Sequence, residues 1–513
     1  MNESRASAVL EHRNTLWIVS SLTIVLFVVA NLPWELESYD QAKQAFISWQ
    51  MVKPTSSAMT ATEAATSRFL YQETPNGKLA TKPPLIGWVS AAFYEVTRSW
   101  GAAWRLPSVG AGIAIAWLLW RRGALYGNLA ALVALAAFSL NLLAPRLATL
   151  VRTDMPLTFV TFLIALLFFK QIRARALWGT GQRTALFLFL AASMLIKGPI
   201  VYAFVLPAMV LFFWRYRGDA IIRSITTGWW PWIFSFAIFV AWVIGGVETM
   251  PRFYNKVVLR EFVVRFTETF HRPQPIFFYV PHLLHKWAPW SLLLIALLVL
   301  HFRGARRPSE GQTTTRKSWQ NRLSPELFWL LAWGVGGLLV MSCIPSKRVD
   351  RIFPIVPPLC LFLGAIIGTW RERERADFRS LVCWSAITLL VAMIYTSSYA
   401  AFRIARGIRK QRDSLVKCGR EFRMRATRNR WHYAVLKTST EALVFYLDAP
   451  RFTPESEVVE QWNAGKLDVV IGSEKRIRSI LPELGADGMT QSDFCQRIKG
   501  QKSYLVLQRR ISP

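Results

Sequence analysis

Cysteine is scarce in this chain and odd in number: five among 513 residues. Cys343, Cys360 and Cys383 fall in or beside apolar runs, where a free cysteine packs as a small hydrophobe. Cys418 and Cys495 lie in a polar tail. No spacing fixes a bridge between them, so two unpaired thiols is the default expectation, and pairing would require the tail to face an oxidising compartment. Acidic side chains are the second shortage: 31 Asp and Glu stand against 62 Lys and Arg, for a net charge of +31. That excess excludes little by itself. It is not a nucleic-acid footprint, because most of the Lys and Arg sit in short loops beside apolar runs, as orientation signals and partners of anionic headgroups do. The first apolar run, TLWIVSSLTIVLFVVANLPW, lacks a small-residue cleavage site and reads as a retained span rather than a signal peptide. No internal repeat is visible.

What the chain has in excess is apolar surface. Hydrophobic residues make up 53% of it, with 23 Trp and 33 Phe. They are distributed as runs of membrane-spanning length separated by basic loops, which excludes one large soluble core. The pattern predicts an all-α polytopic membrane protein with about 11–13 transmembrane helices over residues 1–400, extracytoplasmic loops at 34–82 and 248–287, and a small soluble α/β domain over 401–513. The clusters KQIRARALW (170–178), RYRGDAIIR (215–223), RGARR (303–307) and RERER (371–375) are each separated from the next by two apolar runs. Placing all of them in the cytoplasm is self-consistent. The N-terminus then lies inside and the tail outside, with the run 83–98, which carries Glu95 and Arg98, at the outer interface. In the tail, HYAVLK, ALVFYL, LDVVIG and SYLVLQ read as strands and ESEVVEQWNAG as a helix ending at Gly465. No catalytic constellation appears there, and a lid or docking module is the expectation.

This orientation collects charges on the outer face. They are Asp40 in ESYDQAKQAF, Lys82 in LATKPPLIGW, Asp154 in VRTDMPLTF, Lys197 in LIKGPI, Arg265 in EFVVRF, and Lys347, Arg348 and Arg351 in IPSKRVDRIFP. A charge at the edge of an apolar run is costly without a partner or a wet cavity. Two carboxylates and a group of cations on one face suit a phosphate or diphosphate attached to a lipid, from which something is transferred. Lys and Arg stabilise the charge growing on the leaving group, Arg with two parallel hydrogen bonds. A carboxylate takes the proton from the acceptor hydroxyl or holds a divalent cation, which leaves a divalent cofactor open.

Each charge also has a plainer reading. Asp40 caps a helix at even odds, Asp154 is an N-cap before Pro156, Lys82 snorkels, and Lys197 in KGP ends a helix. Lys347, Arg348 and Arg351 bind headgroups, with Asp350 paired to one of them. Singly these readings win; together, on one face, the cavity is the better account. His282 and His285 share a helical face, but Trp287 and Trp290 beside them point to an interfacial aromatic belt, so no metal is expected there. His271 and Lys197 are candidate substrate contacts.

The order of the motifs YDQAKQA, KPPLIGW, RTDMPLTF, LIKGPIVYAFVLP, REFVVRF with HRPQPIFFYV and APW, and SKRVDRIFPIVPPL resembles the membrane glycosyltransferases of the protein O-mannosyltransferase and aminoarabinose (lipid A) transferase family, of GT-C architecture, over roughly residues 15–370. The resemblance implies a polyprenyl-phosphate sugar donor, an inverting transfer, a site at the outer leaflet and a bacterial cytoplasmic (inner) membrane. It makes Asp40 the leading catalytic carboxylate and Asp154 the second, Lys82 and Arg265 the contacts to the donor phosphate, and Lys347 the lysine of the late motif. The departures matter too. Gln41 follows Asp40 where the family often has Glu. Ala80 and Phe262 stand where some aminoarabinose transferases place a metal-holding Glu and His, so that metal site is not expected. Arg351 replaces a common Tyr and adds a phosphate ligand. These differences argue against the aminoarabinose reaction.

The expected function is therefore transfer of a sugar from a polyprenyl-phosphate donor to a lipid, protein or glycan acceptor at the extracytoplasmic face. Asp40 and Asp154 act as the carboxylates, and Lys82, Arg265, Lys347, Arg348 and Arg351 hold the phosphate. Membrane lipids are partners and nucleic acid is not. The competing reading is a transporter or flippase of a polyprenyl-linked or other anionic lipid, for which related halves and broken helices near the midplane are expected; no repeat is present, and the charges gather at one edge.

Overall fold

The computed structural model describes residues 13–36, 38–52, 68–74, 79–264, 274–304, 323–373, 375–438, 441–484, 489–494 and 504–509. Among these, five helices are long and apolar enough to cross a membrane, or up to seven if each of two sharply bent helix pairs counts as one span. The chain divides into two compact units. One comprises Met1–Ala30 with Thr81–Ala401, the other Asn31–Ala80 with Phe402–Pro513.

The helical unit is packed through small residues. The alanine-rich helix Asn128–Ser139 is buried along almost its whole length and lies against Val356–Arg373. A Cβ built on Gly364 would run into the carbonyl oxygen of Ala130, and one on Gly368 into that of Tyr126. Glycine there lets two backbones approach without side chains between them, the way helices associate where lipid supplies no hydrophobic drive. Likewise Gly336 and Gly337 of the helix Pro325–Cys343 meet Pro207 and Phe204 of the helix Tyr202–Arg215.

The apolar run 124–143 does not form one helix. The Asn141 amide donates to the carbonyls of Ala137 (3.0 Å) and Phe138 (2.7 Å), and its Oδ1 accepts from the backbone of Leu143 (2.8 Å) and Ala144 (2.9 Å). One side chain thus closes Asn128–Ser139 and opens Ala144–Thr149. A second break falls at KGP. Thr180–Lys197 ends at Gly198, with φ +75°, and the chain bends by 118° into the segment Pro199–Arg215, as the cation-Gly-Pro stop signal predicts. The tryptophans expected at an interfacial belt are instead interior. Trp287 and Trp290 are 3% and 0% exposed, and their indole N–H groups donate to Ala137 O and Leu140 O, each at 2.8 Å. A buried indole needs such a partner, and the carbonyls around Asn141 supply it.

The second unit is a mixed four-stranded sheet with helices on both faces. Its strands are β1 (Tyr433–Val435), β2 (Val469–Ser473), β3 (Met489–Asp493) and β4 (Tyr504–Arg509). Their order is β1-β2-β4-β3, with β1 parallel to β2 and β4 antiparallel to both β2 and β3. Alternation sorts the side chains. Val469, Ile471 and Val506 join Leu415, Phe422 and Leu443 on one face, and Val470, Leu505 and Leu507 join Val458, Trp462 and Ile477 on the other. The helix Tyr39–Val52 belongs to this unit, with Phe46 5.4 Å from the ring of Phe445, and the Tyr446 hydroxyl accepts from the backbone N–H of Leu36 at 3.0 Å.

Three readings of the tail change. ALVFYL is a helix, Ala442–Leu447, with Leu443, Val444, Phe445 and Leu447 all buried; a segment covered nearly all round has no outward face for strand alternation to show, and packing overrides its β propensity. The strand β3, MTQSD, is mostly exposed and too polar to announce itself. Cys418 is disulfide-bonded rather than a free thiol, whereas Cys343, Cys360 and Cys383 are free; Cys495 lies outside the described residues.

Because the neighbour of Gly364 is backbone that cannot swing away, Gly364→Val is expected to destabilise the protein by about 1–3 kcal/mol through overpacking. Gly110, with nothing within 4 Å of an added Cβ, should accept alanine without loss. Thermal unfolding of the two variants in detergent checks the contrast.

Candidate active site

The site is built where several helices of the helical unit end. The helix Asp154–Ala174 begins at Asp154, one residue beyond its N-cap position Thr153, which makes no side-chain capping bond. Asp154 therefore does not cap the helix. Its carboxylate instead meets Lys197, the last residue of Thr180–Lys197, with Nζ to Oδ1 at 2.5 Å. The pair is largely enclosed, with side-chain exposures of 18% for Lys197 and 10% for Asp154. Lys82 and Arg152 lie within electrostatic reach of the same carboxylate.

A second network sits beside it. Arg152 pairs with Asp350, and Asp350 also receives Arg348 Nη2 at 3.3 Å. Arg152 is held in a loop whose carbonyls at Leu150 and Arg152 accept from the Ser108 hydroxyl at 2.9 and 3.3 Å. Arg351, one turn further along Val349–Ile355, donates to the carbonyl of Ser346 and to its hydroxyl at 3.1 Å. The segment around SKRVDR is thereby tied both to itself and to the loop before Asp154.

Between these groups opens a cavity with about 90 Å³ of water-accessible space. At roughly 10–15 Å³ per water in this measure, it holds several waters and is a ligand-sized space rather than a packing flaw. Its charged lining is Lys82, Lys197, Arg351 and Glu261; Leu157, Ile200, Met341 and Ile344 form much of the apolar wall. Three cations separated by more than a hundred residues at each step along the chain thus share one opening. A cavity whose lining combines three cations with apolar side chains can take an anionic group carried on a hydrocarbon chain.

Of the residues expected from sequence, Lys82, Lys197 and Arg351 line the cavity and Asp154 is bound to one of them. Lys347 and Arg348 are not in its wall: Lys347 Nζ donates to Gln274 O at 3.3 Å, and the Arg348 backbone N–H donates to the Tyr279 hydroxyl at 3.4 Å. Asp40 belongs to the second unit, half-buried in the first turn of Tyr39–Val52. The backbone N–H groups of Gln41 and Ala42 bond Ser38 O, so the helix starts before Asp40, whose charge favours the N-terminal end of the dipole. Arg265 and His271 lie outside the described residues.

Two residues were not foreseen. Arg152 stands two places before Asp154 in VRTDMP, and Glu261 four places before Arg265 in REFVVRF; each lies inside a motif already singled out, so its position was the available signal. Ala80 and Phe262 offer no metal ligand, and among the described residues no group of three or more His, Cys, Asp or Glu comes together to hold an ion. His282 packs against Phe278, with ring centroids 4.5 Å apart.

Removing one partner of an enclosed ion pair leaves the other charge uncompensated. Lys197→Met alone is expected to cost about 3–5 kcal/mol, and Lys197→Met with Asp154→Asn appreciably less. A double-mutant cycle on thermal stability checks this; additive losses would show that the two side chains do not depend on one another.

No family model matches the chain. A stretch of 126 residues, 24% of the chain, is 31% identical to the undecaprenyl phosphate-α-4-amino-4-deoxy-L-arabinose arabinosyl transferase of Yersinia pestis (strain Pestoides F) and 29% identical to that of Serratia proteamaculans (strain 568). The match spans 20% of the length of those relatives. The crystal structure of ArnT from Cupriavidus metallidurans bound to undecaprenyl phosphate superimposes with a TM-score of 0.69 over 96% of this chain and 97% of that one, at 16% identity. The oligosaccharyltransferase of Archaeoglobus fulgidus in its apo form gives a TM-score of 0.51 over 94% of this chain and 69% of that one, at 11% identity. The chain thus shares the fold of these two proteins, both of GT-C architecture, and carries a small four-stranded mixed sheet near its C-terminus.

Proposed function

We propose that the protein transfers a sugar from a polyprenyl-phosphate donor to an acceptor at the extracytoplasmic face of a bacterial inner membrane, with inversion at the anomeric carbon. The observation that carries this reading is the gathering of Lys82, Lys197 and Arg351 around one cavity with an apolar wall. The whole-length likeness to ArnT, a protein crystallised with undecaprenyl phosphate, supports it.

The acceptor oxygen attacks the anomeric carbon from the side opposite the phosphate. As the bond between the anomeric carbon and the phosphate oxygen breaks, its electron pair stays on that oxygen of the leaving polyprenyl phosphate, and Lys82 and Arg351 stabilise the growing charge. Fixed cations in a low-dielectric site need no reorganisation to do so. On the sequence reading Arg265 joins them as a phosphate contact and His271 as a substrate contact; Lys347 and Arg348 stand outside the cavity wall, engaged by Gln274 O and Asp350. Lys197 is held by Asp154 and so presents its ammonium at a defined place; Asp154 acts through it. The hydroxyl proton passes to Asp40 as general base. No step is assigned to a divalent ion.

The same reading puts the N-terminus in the cytoplasm and the tail outside. The disulfide at Cys418 supports it, since such bonds persist in oxidising compartments. Alkaline phosphatase fused after Pro513 should be active in cells and β-galactosidase fused there inactive; the reverse would overturn the orientation.

Two further outcomes test the chemistry. Lys82→Ala and Arg351→Ala should each weaken undecaprenyl phosphate binding about tenfold or more, as the loss of a charge-assisted hydrogen bond worth about 1.5–3 kcal/mol requires; native mass spectrometry of the full chain reads this. Asp40→Asn should keep that binding but fail to restore the lipids and glycans missing from cells lacking the protein, as followed by mass spectrometry. Restoration by Asp40→Asn would remove Asp40 from the chemistry.

A further inference from the structure

The helix Ser414–Asn429 carries two faces of opposite character. Leu415, Gly419, Phe422 and Ala426 are buried, and Gly419 sits so close to Tyr446 O that no Cβ fits. That side is fixed against the sheet unit. At 100° per residue the opposite side presents Lys417, Arg420, Met424 and Arg428, flanked by Arg423 and Arg425. All six are exposed, and Met424 is 60% exposed. Lys417 pairs with Asp413 at 2.8 Å, and Glu421 is the one acid on the helix. The arginines 420, 423, 425 and 428 form no ion pair among the described residues.

The location of this face is constrained by the chain itself. The apolar helix Leu381–Arg409 ends five residues before Ser414, so the start of the basic helix lies at most about 18 Å from that end. Phe402 and Ile408, on the last turns of the apolar helix, are 59% and 62% exposed. A cluster of arginines this close in the chain to a helix long and apolar enough to cross a membrane matches the polybasic segments that bind anionic headgroups, with Met424 as the apolar residue among them.

We infer that the outer face of Ser414–Asn429 is a docking surface for anionic phospholipid headgroups of the membrane in which the chain is embedded. The arginines bind phosphates and Met424 enters the acyl boundary. Long extracytoplasmic segments translocate regardless of charge, so a basic helix on that side conflicts with no orientation rule. The surface has no part in sugar transfer as proposed above, and its test is independent of that reading.

The test uses the full chain in lipid nanodiscs, with Met424→Cys carrying an environment-sensitive fluorophore in a Cys343→Ser, Cys383→Ser background. In phosphatidylglycerol discs the emission should shift to the blue relative to phosphatidylcholine discs. The shift should vanish at about 1 M salt, where the Debye length is about 3 Å. Arg420→Gln and Arg428→Gln should each lower the docked-to-undocked ratio about fivefold, which is about 1 kcal/mol per charge at a membrane surface. An intact Cys418 disulfide, resistant to alkylation, verifies that the variants are folded. Equal emission in the two lipids, or a shift that survives salt or the arginine substitutions, overturns the inference. So does a shift evoked by a soluble phosphorylated oligosaccharide but not by phosphatidylglycerol, which would assign the face to a glycan instead.

Discussion

A charge at the end of an apolar helix must be answered by another charge or by water, and the helical unit is arranged around that requirement. The Asp154–Lys197 pair meets it for two helix ends at once. Asp154 sits at an N-terminus, where the helix dipole favours an anion, and Lys197 at a C-terminus, where it favours a cation. Each charge is therefore stabilised twice, by its own helix and by its partner. The pair ties the end of Thr180–Lys197, stopped at Gly198-Pro199, to the start of Asp154–Ala174, and so joins two walls of the cavity. The Arg152–Asp350–Arg348 network does the same for the segment that delivers Arg351.

Close helix packing makes this convergence achievable. Pro325–Cys343 contacts the helix that follows Lys197 through Gly336 and Gly337, and ends just before Ile344, in the cavity wall. Buried indoles add directional bonds: Trp329 donates to Ala165 O at 3.0 Å and Trp333 to Pro354 O at 3.4 Å. Trp329 thereby ties Pro325–Cys343 to the helix of Asp154, and Trp333 ties it to the turn carrying Arg351. Helices registered in this way hold their ends in fixed positions, and a set of cations is useful to a phosphate only if its geometry precedes the ligand.

The sequence revealed much of this where physics is local. The stop at Lys197, the helix Glu455–Asn463 closed by Gly465 with φ +73°, and the strands β1, β2 and β4 follow from caps, turns and alternation. It was silent where the deciding partner is distant. Nothing near Trp287 announces that Ala137 O awaits its N–H, so an indole that bonds inward looks like one that faces lipid. ALVFYL has strand composition and helical structure because its burial on nearly every side is a property of the assembled unit. The disulfide at Cys418 is likewise invisible in spacing alone. Charges at the edges of apolar runs pointed to Lys82, Lys197 and Arg351, which line the cavity, whereas Arg152 and Glu261 required coordinates because what they do depends on what lies across from them.

The ion pair also separates the two aspartates that looked alike in sequence. A general base must accept a proton during the reaction, and protonating Asp154 would dissolve its bond to Lys197 and leave an enclosed ammonium without its counter-charge, at a cost of several kcal/mol. A carboxylate so engaged is suited to holding a cation in place through the cycle and unsuited to exchanging protons in it. Asp40, half-buried and in the other unit, takes no part in that pair. On the function proposed above, Asp154 keeps its charge to hold Lys197 at the cavity, and the acceptor proton is assigned to the other acid.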